Sequence, residues 1–172
     1  MEFLSSIKAL MPDWAKDIRL NLDGVIARSS LKPEDAVGAA LAAAYAAGSA
    51  TLVEAFKSGL PEGDATGALT AAALMGMNNT YYPYTEMAGD DQLKTLPAQL
   101  RMNAYATHGG IDKKRFELFA LSASIVGKCH FCVRSHYQNL KQAGFTSEQL
   151  RDVGRVASVV NAAAQALAIT GK

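Results

Sequence analysis

The segment 36–47, AVGAALAAAYAA, limits what this chain can fold into more than any other stretch. It is apolar almost throughout yet built from alanine rather than leucine. Alanine has the highest helix propensity and the smallest side chain that still favours a helix. The same bias runs through the chain, where 49% of the residues are apolar, alanine dominates them and only 8% are aromatic. Such a profile predicts close-packed helices, not sheet. At 172 residues the chain can bury a core without staples, so one compact all-α, multi-helix domain over 1–172 is expected.

Segment 36–47 is too short to span a bilayer. The start, MEFLSSIKALMPDW, has no basic region leading into an apolar run, so neither a membrane segment nor a signal peptide is expected. Basic and acidic residues number 17 and 16 and leave a net charge of +1. Without a basic stripe, nucleic acid is not an expected partner. These readings place the protein in the cytoplasm, where stable disulfides are rare. Its two cysteines, Cys129 and Cys132, stand three apart, a spacing that there reads as redox or metal chemistry.

Punctuation along the chain divides it into helices. Pro12-Asp13 opens a helical stretch towards Asn21 and Arg28. Pro33-Glu34-Asp35 is a good first turn for the alanine-rich helix, which breaks at Gly48 and resumes through Leu52 and Phe56 to Gly59. Pro61–Gly63 opens another helix through Leu69 to Met75, and Asn78–Tyr84 reads as an irregular polar-aromatic patch. One or two short helices around Pro97 and a turn at His108-Gly109-Gly110 follow. Asp112 starts a helix that Gly127-Lys128 interrupts; the next carries both cysteines, His136 and Leu140 and stops at Gly144. Thr146 with Gln149 forms a capping box for a last helix to about Ile169. Residues 31–76 can be laid on 111–161 as a weak, degenerate helical repeat, with Ser49 and Leu52 in the places of Cys129 and Cys132; chance similarity of two alanine-rich helical stretches is the alternative.

A redox CxxC wants both thiols on one helical face near the helix start, where free amides and the dipole favour a thiolate. Gly127-Lys128 supplies that start, and Lys128 adds a positive charge. Cys129, Cys132 and His136 stand at i, i+3 and i+7 and so share a face, with His136 one turn beyond Cys132 and placed to take its proton. If the chain folds back at Gly127-Lys128, Glu117 lies roughly 15 Å before the turn and His136 roughly 12 Å after it, at ~1.5 Å per residue. The two should face each other. Glu117 stands among Phe116, Leu118, Phe119 and Ala120, where burial would raise its pKa and suit it to accept a proton and orient or charge His136. On this reading Cys132 is the relay-coupled thiol that first meets peroxide. Cys129, expected to be more exposed, resolves it and receives an incoming thiol; the opposite assignment has its own logic, since the first cysteine feels the helix dipole more.

A zinc site from Cys129, Cys132, His136 and either His130 or His108 is the chemical rival. Its local candidates all lie within 129–136, with no distant pair to close the shell, so no metal is expected. Val133 after the second cysteine excludes haem attachment. The plainest alternative is a pair of buried structural cysteines. His108 reads as a turn residue, and Met75-Gly76-Met77 with Tyr81, Tyr82 and Tyr84 as core or subunit packing.

The chain resembles the alkyl hydroperoxidase D (AhpD) family, within the wider carboxymuconolactone decarboxylase-like superfamily. Glu117, the helix to Val126, Gly127, Cys129 and Cys132, and His136 four after the second cysteine carry the likeness. The run Met77-Asn78-Asn79-Thr80-Tyr81-Tyr82, the start MEFLSSIKALMPDWAKDIRLNL and the length extend it. One departure is clear: the family often has His immediately before the second cysteine, where this chain has Phe131 and carries His130 instead. The resemblance implies an all-α homotrimer with no bound cofactor. It also implies a disulfide reductase and hydroperoxidase that draws electrons from a dihydrolipoyl group on a partner protein. Those electrons pass to a two-cysteine peroxiredoxin or directly to an alkyl hydroperoxide. From the residues alone, a non-enzymatic thiol redox sensor or binding module stays open as the alternative.

Overall fold

A computed structural model describes residues 2–171 and shows ten α-helices among them, with no strand. They are α1 (Glu2–Leu10), α2 (Lys16–Ile26), α3 (Pro33–Ala46), α4 (Ala50–Lys57) and α5 (Glu62–Met87). After two short helices, α6 (Asp91–Thr95) and α7 (Asn103–Thr107), come α8 (Lys113–Val126), α9 (His130–Gln142) and α10 (Ser147–Ile169). The expected all-α class is the one observed.

The alanine-rich helix α3 is the centre of the fold. Every residue from Asp35 to Ala44 is buried, as a helix apolar on all faces requires. It packs against α5, α8, α10 and α4. Against α8, the Phe119 ring lies in the space a Cβ on Gly38 would need. There Ser122 Oγ donates to the Ala39 carbonyl at 2.7 Å. Arg115 joins the starts of three helices, reaching Asp35 of α3 at 2.7 Å and Asp64 of α5 at 2.6 Å. The capping box at Thr146 and Gln149 forms as read, opening α10.

Two stretches depart from the sequence reading. Helix α1 precedes the Pro12 start and buries Leu4 and Ile7; α2 begins only at Lys16, behind a 3₁₀ turn at Asp13–Ala15. The larger correction is at 78–84. Helix α5 continues through this patch to Met87 with Pro83 inside it. Proline removes one intrahelical N–H and crowds the carbonyl four residues back, costing about 3 kcal/mol. Tertiary contacts override that preference: Asn79 Nδ2 donates to the Ala123 carbonyl of α8 at 3.1 Å. Tyr82 also stacks on Phe131 of α9, with ring centroids 4.4 Å apart.

The aligned segments 31–76 and 111–161 share their local geometry around the central break. Gly48 and Lys128 both take left-handed φ values, +72° and +55°. Ser49 and Cys129 then cap α4 and α9, each accepting from the amide three residues on, Leu52 at 3.4 Å and Cys132 at 3.2 Å.

Candidate active site

The site is built on the α8–α9 hairpin. Helix α8 ends at Gly127, whose missing Cβ leaves room for the Asn79 side chain. The chain reverses through Lys128, and α9 starts with Cys129 as its N-cap. The Cys129 sulfur thus occupies the place of a capping oxygen, taking the Cys132 amide at 3.2 Å. Cys129 and Cys132 are joined as a disulfide, with Cα atoms 5.3 Å apart. Both are buried, Cys129 fully and Cys132 to within 3%. The expectation that Cys129 is the more exposed is therefore corrected, because its capping role turns the sulfur inward, against α9 and towards the Asn78 carbonyl of α5.

Along the two arms of the hairpin, Glu117 and His136 meet. His136 Nδ1 lies 2.7 Å from Glu117 Oε2, and both side chains are buried. The ring's other nitrogen, Nε2, lies 3.1 Å from the Met75 sulfur. A carboxylate and a thioether are both acceptors, so each ring nitrogen has an acceptor opposite it.

Two further donors converge on Glu117, and neither was read from the sequence. Asn139 Nδ2 reaches Oε2 at 3.2 Å, and the Tyr105 hydroxyl donates to Oε1. Asn139 lies one turn beyond His136 on the same face of α9, so its helical spacing was an available signal. No local pattern ties Tyr105, on α7, to the site. The donors also reverse the expected electrostatics. Burial pushes the Glu117 carboxyl up, but the hydrogen bonds from His136, Tyr105 and Asn139, with the attraction of the imidazole, hold it below its ordinary value. It is therefore a held anion rather than a proton carrier with a raised pKa. Burial and the bond to Glu117 in turn push the Tyr105 phenol up.

The other histidines stand apart from this group. His130 is exposed, with Nδ1 3.7 Å from Glu86; His108 packs edge-on against Tyr105 and Phe116. Among the described residues, no three His, Cys, Asp or Glu side chains gather as a metal site. Met75 is core, whereas Met77 and Tyr84 are exposed beside Tyr45 and Leu100 in a shallow depression. At the start of α9 runs a groove of about 570 Å³ that neither cysteine lines, with Tyr82, Leu93, Leu96 and Phe131 on its apolar walls and Arg134 at one side. No described helix is long and apolar enough to cross a membrane.

Residues 91–171 match the carboxymuconolactone decarboxylase family. Over 169 residues the chain is 41% identical to alkyl hydroperoxide reductase AhpD of Rhodospirillum centenum, covering 95% of this chain and 90% of that one. The AhpD of Hyphomonas neptunium is 40% identical over 174 residues, covering 96% and 93%. That of Coxiella burnetii is 38% identical over 176 residues, covering 98% and 99%.

Proposed function

Because the chain belongs to the AhpD family, whose members named above are alkyl hydroperoxide reductases, we propose that it is a peroxidase-type oxidoreductase working through Cys129 and Cys132. The observation that carries this reading is the N-capping CxxC on a hairpin that lays His136 against Glu117. In the first half-reaction a dithiol reduces the protein: the Cys129–Cys132 bond breaks, two thiols form, and the donor closes to its own disulfide. In the second, a hydroperoxide ROOH takes the two electrons, the protein disulfide re-forms, and ROH and water leave.

With Cys129 fully buried and Cys132 retaining a trace of exposure, Cys132 rather than the expected Cys129 is the cysteine attacked by the incoming thiol. Cys129 leaves as a thiolate stabilised by the Cys132 amide and the start of α9, and a better-stabilised thiolate departs faster. His136, whose two ring nitrogens face Glu117 and the Met75 sulfur rather than either cysteine, supplies the proton in reduction and takes it back from Cys132 through a bridging water when the dithiol meets peroxide. Glu117 remains ionised throughout, holding the ring's orientation and offsetting its charge, as the buried aspartate does in a serine protease triad.

The donor we assign is a dihydrolipoyl group on a partner protein. Its flexible apolar arm suits the groove at the start of α9, where Tyr82 and Phe131 stack. The same walls suit the alkyl part of a hydroperoxide. A two-cysteine peroxiredoxin is the protein acceptor, and the cytoplasm, where dithiols are kept reduced, is the compartment. The exposed Tyr45, Met77 and Tyr84 are the face on which three copies assemble.

A peroxide-consumption assay with dihydrolipoamide, glutathione or thioredoxin as donor tests the reading. Catalytic turnover with dihydrolipoamide above the other two is expected. Consumption of one equivalent of peroxide per chain, followed by arrest, would identify a redox sensor instead.

A further inference from the structure

The Glu117 carboxylate is approached from two directions. From α9 come His136 and Asn139, both to Oε2; from α7 comes Tyr105, alone on Oε1. Behind the carboxylate lies a cavity of about 400 Å³, whose lining includes Tyr105, Glu117, Asn139, Lys113, Lys114 and Gln142 and neither cysteine.

We propose that Tyr105 is a positioning residue of the relay, which seats the Glu117 carboxylate towards His136 and screens it from the water of this rear cavity. The inference rests on the function proposed above. Three observations carry it. The phenol is aimed by packing: its ring meets the fully buried Phe116 edge-on at 5.6 Å and His108 at 6.2 Å. Its hydroxyl has one hydrogen bond among the described residues, and that bond goes to Glu117. A half-buried phenol could take a solvent partner, so its place on a buried anion that already has two donors fixes the anion, not the phenol. Without this donor, Oε1 would face the cavity, free to turn from His136 or to bind water.

The groups that act on Glu117 can be named on each side. His136 and Asn139 face it from α9, with Met75 of α5 beyond the imidazole. Tyr105 faces it from α7, with His108 at that ring's edge. Asp112, Lys113 and Lys114 line the same cavity at the start of α8. Among the described residues only Tyr105 supplies Oε1, so its loss leaves the carboxylate with one donor-bearing oxygen. Glu117 then gains a proton more easily, and the relay needs a higher pH to work.

Tyr105→Phe tests the proposal, since it keeps the ring against Phe116 and His108 and removes only the hydroxyl. The acidic limb of the kcat/KM profile for peroxide reduction should move up by on the order of one pH unit. In the oxidised protein, solvent exchange of the His136 Nδ1 proton, followed by NMR on ¹⁵N-histidine-labelled material, should accelerate roughly tenfold as local opening becomes easier. A variant with the wild-type limb and wild-type exchange overturns the proposal. So does one that loses activity and thermal stability while the His136 proton exchanges at the wild-type rate, because a purely structural phenol predicts that pattern. Were the wild-type protein to consume no peroxide, the functional reading would fall and the exchange measurement would still decide the role of Tyr105.

Discussion

His136 Nδ1 and Glu117 Oε2 stand 2.7 Å apart across a helical hairpin whose turn is Gly127-Lys128. Nineteen positions separate the two in sequence, and they meet because the arms on either side of the turn are nearly equal in length. The contact buries a carboxylate and an imidazole together, which is favourable only when the remaining hydrogen-bonding positions are also filled. Tyr105 and Asn139 fill them on the acid, and Met75 faces the ring.

Glu117→Gln keeps the volume and can still accept from Tyr105, but it removes the charge that offsets a protonated His136. Turnover should fall on the order of a hundredfold. Circular dichroism and the Cys129–Cys132 pairing should remain those of the wild type. Full activity in this variant would remove Glu117 from the mechanism.

Either cysteine replaced by serine should abolish turnover, because each half-reaction needs both sulfurs. The wild-type chain has two cysteines, so a thiol reagent should titrate both after reduction and neither after mild oxidation. Wild-type turnover in Cys132→Ser would contradict the dithiol cycle.

Lys128 holds φ +55°, a region that disfavours side chains by about 1–2 kcal/mol. Glycine occupies the matching place at 48, with φ +72°. Lys128→Gly should therefore hold or raise stability, by up to about 1 kcal/mol once glycine's greater loss of chain entropy is subtracted. It also removes a cation beside the cysteines, so the reduced pair should form thiolate at higher pH. Thiolate absorbance against pH and urea unfolding check the two effects separately. Unchanged thiolate formation would show that Lys128 does not act on the pair.

Asp152 is buried on α10 and accepts from the Ser30 amide and hydroxyl, each at 2.8 Å, and from Arg155 at 3.0 Å. Burial pushes its carboxyl up, yet these bonds, with two from Arg151, hold it well below the usual range. A depressed native pKa stabilises the fold above the unfolded value of about 3.9, and that stabilisation disappears as the pH falls through the native value. Asp152→Asn should cost about 2–4 kcal/mol at pH 7, with the difference from wild type shrinking below about pH 4. Urea unfolding at pH 7 and pH 3 measures it. An equal difference at both values would contradict the assignment.

Local signals in the sequence carried much of the architecture. Alanine content gave the all-helical class, Thr146 and Gln149 gave the start of α10, and Gly127-Lys128 gave the reversal before the cysteines. The patch at 78–84 misled because proline and clustered tyrosines disfavour helix locally, whereas Asn79 on Ala123 and Tyr82 on Phe131 reward it across the fold.

What the sequence determined by itself was the hairpin and its register: two helices joined at one turn, with Glu117 and His136 at matching heights. Helical rise and the place of the break are properties of the chain close at hand, so arithmetic on residue numbers could find the pair. Tertiary structure decided everything that converges on the pair from elsewhere. Met75 comes from 61 positions away, and Tyr105 from a short helix with no periodic tie to α8. Packing also decided the burial of Cys129 and the direction of the Glu117 shift. That sign is the balance between desolvation, which an apolar neighbourhood in the sequence suggests, and the number of donors, which is known only once distant side chains have met.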